Sequence, residues 1–127
     1  MQVKDYFSEI QNLLRRSSFI ENVDVKYEAK SKTVGLIHGN IGMVDGSTLQ
    51  FLELIDRKDE EIIRPKYRFH FMDSADKMIF RSDNAPHHPE VPTYPHHKHI
   101  LGEEKLKQSK EIGLKDVLLE IGGMIVR

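Results

Sequence analysis

Cysteine is absent from the 127 residues. That excludes disulfides, thiolate metal ligands and cysteine nucleophiles together, and it agrees with a reducing cytosol. Long apolar runs are missing too, which excludes a helical membrane span. The opening residues, Met-Gln-Val-Lys-Asp-Tyr, carry no apolar signal core, so a cytoplasmic location is expected. No charge excess exists: 19 basic residues face 20 acidic ones. A global electrostatic footprint for nucleic acid is therefore lacking, although local asymmetry is allowed. There is no GxGxxG, P-loop, HExxH or GxSxG, so nucleotide cofactors and a hydrolase nucleophile elbow have no support.

What is present suits one domain spanning 1–127, since a chain of this size buries a sufficient core by itself. The expected fold is α+β, a mostly antiparallel meander of about five strands with an N-terminal helix on one face and one or two C-terminal helices. Val3, Tyr6, Phe7, Ile10, Leu13 and Leu14 recur at three- and four-residue spacing, which predicts a helix within 1–17. The period then shortens to two, and 20–82 reads as sheet. Strands are expected near 23–28, 33–44, 48–56, 62–72 and 77–82, separated by turns at Lys30–Lys32, Asp45-Gly46, the acidic stretch 56–61 and Asp73–Asp76. Gly35, Gly39 and Gly42 mark bulges or a close neighbour in the second strand. Residues 83–101 form a Pro/His-rich segment that holds four of the five prolines and is expected to be an extended loop. Residues 103–127 are expected to be helical, as a charged piece at 103–112 and a more apolar one from Leu114.

Two groups could carry chemistry. Five of the seven histidines lie within 87–99: His87, His88, His96, His97 and His99. Histidine exchanges protons near neutral pH, and three or more imidazoles can also bind a metal. His97 and His99 share a face if their stretch is extended. The second group is the polar face of the fourth and fifth strands: Lys66, Arg68, His70 and Arg81, continuing into Asp83 and Asn84. Guanidinium forks match phosphate geometry and stay charged. Together the groups outline a metal-independent ribonuclease. His88, His96, His97 and His99 would supply acid and base, with Asp83 orienting an imidazole. Lys66, Arg68, His70, Arg81, Asn84 and Lys98 would hold RNA or its phosphate. Tyr67 and Tyr94 are candidate base-stacking platforms, although Tyr67 reads better as a core residue. No cofactor is needed in this reading. Three alternatives stand beside it: a zinc site on His87, His88, His96, His97 and His99 in a non-catalytic interaction module, a nucleic-acid-binding regulator without turnover, and a solvated His-rich loop. His38 reads as structural, and Asp56, Asp59, Glu60 and Glu61 as a solvated turn.

The runs Tyr-Arg-Phe-His-Phe-Met-Asp at 67–73, Ile-Phe-Arg-Ser-Asp-Asn-Ala-Pro-His-His at 79–88 and Pro-His-His-Lys-His at 95–99 resemble the TumE-like toxins of prokaryotic type II toxin–antitoxin modules. Arg68, Arg81, Asp83, Asn84, His88, His96, His97 and His99 are the matching positions, and Ser82 stands where that family usually has an aromatic residue. The resemblance implies a growth-inhibiting toxin, a cognate antitoxin encoded by an adjacent gene, and RNA as target. A homodimer is left open, and no membrane is implied.

Overall fold

The computed structural model describes residues 1–100 and 106–125. Helix α1 (Val3–Arg16) starts where the Asp5 carboxylate accepts a hydrogen bond from the Gln2 backbone N–H at 2.8 Å, and it ends on Arg15 and Arg16. Acid at the start and base at the end both complement the helix dipole. It buries Val3, Ile10 and Leu14.

Seven strands follow among the described residues: β1 (Ile20–Ala29), β2 (Val34–Met43), β3 (Thr48–Lys58), β4 (Glu61–Met72), β5 (Met78–Asp83), β6 (His97–Ile100) and β7 (Leu106–Gln108). They form one sheet in the order β1-β2-β3-β4-β5-β6-β7, each pair antiparallel. Short connections force the meander from β1 to β5, whereas β6 joins after the longer segment 84–96. Gly46 turns at φ 87°, and Asp59 and Asp76 adopt φ 58° and 62°, a region that short polar side chains tolerate. Asp73 Oδ1 accepts from the N–H groups of Ala75 and Lys77 at 2.8 and 3.0 Å, which closes the β4–β5 turn.

The alternation of β3 and β4 sends Leu49, Phe51, Tyr67, Phe69 and Phe71 to one face. Ile10, Leu14 and the apolar side of α2 (Leu114–Met124), namely Leu114, Val117, Leu118 and Ile121, complete this core. Phe51 and Phe69 stack across the strands with ring centres 5.9 Å apart. Gly35 lies under α1, and a Cβ there would meet Val3 Cγ1 at 2.8 Å.

The sheet is larger than the meander of about five strands expected from sequence. β6 lies inside the segment expected to be loop, and β7 inside the stretch expected to be a charged helix at 103–112, whose residues 103–105 fall outside the described residues. Four- and three-residue strands are too short to show a period, and edge pairing defines them. The β3–β4 turn is also narrower than 56–61, because β3 runs to Lys58 and β4 starts at Glu61. The remainder of the proline segment is a chain of tight turns, with Val91 N–H bonded to His88 O, Tyr94 N–H to Val91 O and His96 N–H to Thr93 O, where an extended path was expected. Proline fixes φ at values that β-turns also use. No described helix is long and apolar enough to cross a membrane.

Candidate functional site

The face of the sheet away from the helices is polar where β4, β5 and β6 meet. Register places Arg68 opposite Asp83, His70 opposite Arg81, Arg81 opposite His99 and Asp83 opposite His97. Residues two apart share a face, so the whole set points the same way. After β5 the chain turns back over this patch. His88 then packs against both strand histidines, with ring centres 5.0 Å from His97 and 5.4 Å from His99, while His97 and His99 are 5.1 Å apart. His97 and His99 are each 2% exposed. The imidazoles beyond the last long hairpin thus lie beside the guanidinium-bearing strands.

Asp83 ties the patch together. Its Oδ1 is 3.0 Å from His97 Nε2, and its Oδ2 is 3.3 Å from Arg81 Nε. Its Oδ1 also accepts from the Ala85 N–H at 2.9 Å. His97 Nδ1 lies 2.9 Å from the Pro95 carbonyl oxygen. Both ring nitrogens of His97 therefore face acceptors. His88 Nδ1 is 3.1 Å from Glu90 Oε1. Lys66, Tyr67, Arg68, Arg81, Asp83, Ala85, His87 and His97 line an open cleft of about 260 Å³ beside this cluster. Three cationic side chains and two imidazoles surround one carboxylate there, so the cleft suits an anion.

Several residues expected at one site stand elsewhere. His96 turns to the helix side, where its Nδ1 lies 2.8 Å from the Tyr67 hydroxyl. Lys98 alternates away from His97 and His99, and its Nζ meets Glu120 of α2 at 2.5 Å over the Phe80 ring. Asn84 acts on backbone: its Oδ1 accepts from the Tyr67 N–H at 2.9 Å and its Nδ2 donates to the Pro65 carbonyl at 3.2 Å. It extends the β4–β5 pairing by one step. His70 shares the polar face without lining the cleft. Tyr67 is 1% exposed, so its ring serves the core, whereas Tyr94 is exposed on the loop. His38 pairs with Glu28 at 3.0 Å, and that hydrogen bond holds the Glu28 carboxyl below its usual range.

Sequence reasoning did not find the ion network behind β4. Glu53 is fully buried; it accepts the Tyr6 hydroxyl and sits 3.6 Å from Arg64 Nη1. Arg64 also reaches Glu111 at 3.1 Å and covers the Tyr67 ring at 4.6 Å. The available signal was the phase of Glu53, which shares its face with Leu49, Phe51 and Ile55. A carboxylate in step with core residues requires a buried partner. Burial raises the Glu53 carboxyl above its usual range despite Tyr6 and Arg64.

The same burial raises the phenols of Tyr6 and Tyr27, and that of Tyr67 to about 12. A group whose folded value lies above its unfolded one contributes stability that is complete below the unfolded value. That contribution is lost as pH rises through the folded one. Stability is therefore expected to decline from about pH 10 to about pH 12. An ultraviolet titration should show the phenolate signal of three of the four tyrosines emerging together with unfolding. Free ionisation of all four in a chain still folded would contradict this.

A family model described as Toxin TumE matches residues 10–125. No curated protein and no solved structure gave a match.

Proposed function

Because the chain belongs to the TumE toxin family, we propose that it is the toxin of a toxin–antitoxin pair and that it cleaves RNA in the cleft between β4, β5 and the histidine loop. The observation that carries this reading is the Asp83–His97 pair, 3.0 Å apart, beside Lys66, Arg68 and Arg81 in one anion-sized cleft. Clustered arginine forks match a phosphodiester. His97, which lines the cleft and pairs with Asp83, suits the proton donor. His87, an exposed residue lining the same cleft, suits the base, a position that the sequence reading assigns only to the metal alternative.

The chemistry balances without a cofactor. His87 takes the proton of a ribose 2′-hydroxyl, and the 2′-oxygen attacks the adjacent phosphorus. The bond from phosphorus to the 5′-oxygen breaks, and His97 protonates that leaving oxygen. The products are a 2′,3′-cyclic phosphate and a 5′-hydroxyl. Arg68 and Arg81 offset the charge that grows on the non-bridging oxygens.

Two expected results test this. RNA is cut in EDTA, and the same oligonucleotide with 2′-deoxyribose at the scissile position is not. Cutting of both substrates would overturn the mechanism. Second, Lys66→Ala and Arg68→Ala each weaken binding to single-stranded RNA evenly across sequences. Each lowers the slope of log affinity against log salt by about 0.7, the value for one lost phosphate contact on a single strand. Unchanged slopes would remove these side chains from the RNA path. In cells, growth arrest on expression should be relieved by a protein encoded beside this one.

A further inference from the structure

Three imidazoles converge from two segments that the sequence separates: His88 from the proline loop, and His97 and His99 from β6. Each offers a ring nitrogen within 4.8 Å of the others. Their ring centres are 5.0, 5.1 and 5.4 Å apart. Three imidazoles on one tetrahedral ion, each with a metal–nitrogen bond of ~2.0–2.1 Å, have ring centres separated by about 5.2 Å. The rings thus already stand at coordination spacing.

The surroundings match those of metal ligands. A ligating histidine ordinarily donates its other N–H to a carboxylate or a backbone carbonyl, which fixes its orientation. His88 Nδ1 has Glu90 at 3.1 Å, and His97 Nδ1 has the Pro95 carbonyl at 2.9 Å. Both leave Nε2 for the cluster. His97 Nε2 faces Asp83 Oδ1 at 3.0 Å, so two electron-pair donors point at each other and require a cation or a proton between them. Arg81 already draws on the same carboxylate. That leaves the imidazoles as the main donors and favours a zinc-, nickel- or cobalt-type ion over magnesium or calcium.

We infer that His88, His97 and His99 form a binding site for one zinc-class divalent ion. A bound ion takes the Nε2 of His97 that faces Asp83, so the bound metal silences the cleft. Only this consequence for cleavage rests on the reading proposed above; the binding site itself does not.

The test uses the full, untagged chain stripped with EDTA. Zinc chloride is titrated calorimetrically, and cobalt chloride is followed by the visible bands that a tetrahedral site develops. One equivalent per chain is expected. His88→Ala should weaken zinc binding by a factor of about 10–100 and abolish the rise in melting temperature that zinc causes in the parent. His38→Ala, on a histidine remote from the cluster, should change neither. His88 sits on the half-exposed loop, so its variant should melt like the stripped parent; if it does not, His99→Gln replaces it. Saturable binding that survives both substitutions, or no saturable binding at all, overturns the site. In the parallel RNA assay, zinc should stop cleavage and EDTA should restore it. Zinc that stimulates cleavage overturns the inhibitory role. Binding as expected, with no cleavage in either state, confirms the site and overturns the ribonuclease reading instead.

Discussion

RNA cleavage by His97→Ala should fall by a factor of about 10²–10⁴, the usual contribution of a positioned proton donor. The substitution removes the imidazole nearest Asp83 and leaves Lys66, Arg68 and Arg81 to bind RNA, so turnover should fall while affinity changes little. Asp83 retains Arg81 at 3.3 Å and the Ala85 N–H at 2.9 Å, which limits the structural cost of leaving it without its imidazole. Asp83→Asn should act through the same pair. It keeps the shape and removes the charge that faces His97, and the double variant should be little worse than His97→Ala alone. Groups that act as a unit show that non-additivity. Cleavage by His97→Ala at the parental rate in EDTA would remove the pair from the mechanism. Equal and independent losses from the two substitutions would separate the residues.

The largest effect on folding is expected at Gly39. A Cβ there would lie 2.1 Å from the Asp24 carbonyl oxygen and 2.7 Å from Val25 Cα. Both are backbone atoms of β1, and Gly39 pairs with Val25 in the ladder. Neither can yield by changing a rotamer, so β1 must move away from β2. Gly39→Ala should cost roughly 3 kcal/mol, the upper end for forcing an atom into a filled space. For a chain of this size that lowers the melting temperature by about 10 °C. Gly123→Ala supplies the opposite sign. Its Cβ would meet nothing within 4 Å, and the residue lies in α2. Alanine there should add about 0.5–1 kcal/mol, because glycine in a helix loses more backbone entropy. Calorimetric melting of the two variants checks both. A Gly39→Ala protein that melts with the parent would mean that the β1–β2 approach is looser than the structure has it.

These two glycines show how far sequence reading reaches. Gly39 reads as a bulge or a close neighbour, and Gly123 only as one residue of the C-terminal helical stretch; neither reading assigns a size to the effect. The size depends on which atoms of a strand or helix distant in sequence stand beside them. The polar face follows the same division. Arg68 and His70 alternate with Tyr67, Phe69 and Phe71, so their common face is legible, and the Asp73–Asp76 turn brings Arg81 alongside. The parity of His97 and His99 is legible too, given an extended stretch. That the stretch is extended is not legible, since a four-residue strand next to proline has no period to display.

Sequence alone determined α1, the five hairpin strands, the faces on which Lys66–Met72 and Arg81 lie, and the family. All of these follow from local periodicity, from turn chemistry and from ordered motifs within a few dozen residues. Tertiary structure alone decided that β6 and β7 extend the sheet, and that His88 closes over His97 and His99. It also sent His96 to Tyr67 and Lys98 to Glu120, and it buried Glu53 against Tyr6 and Arg64. Each of these outcomes joins groups that no local pattern links. Pairing at a sheet edge and the requirement that a buried charge find a partner act on the folded chain as a whole.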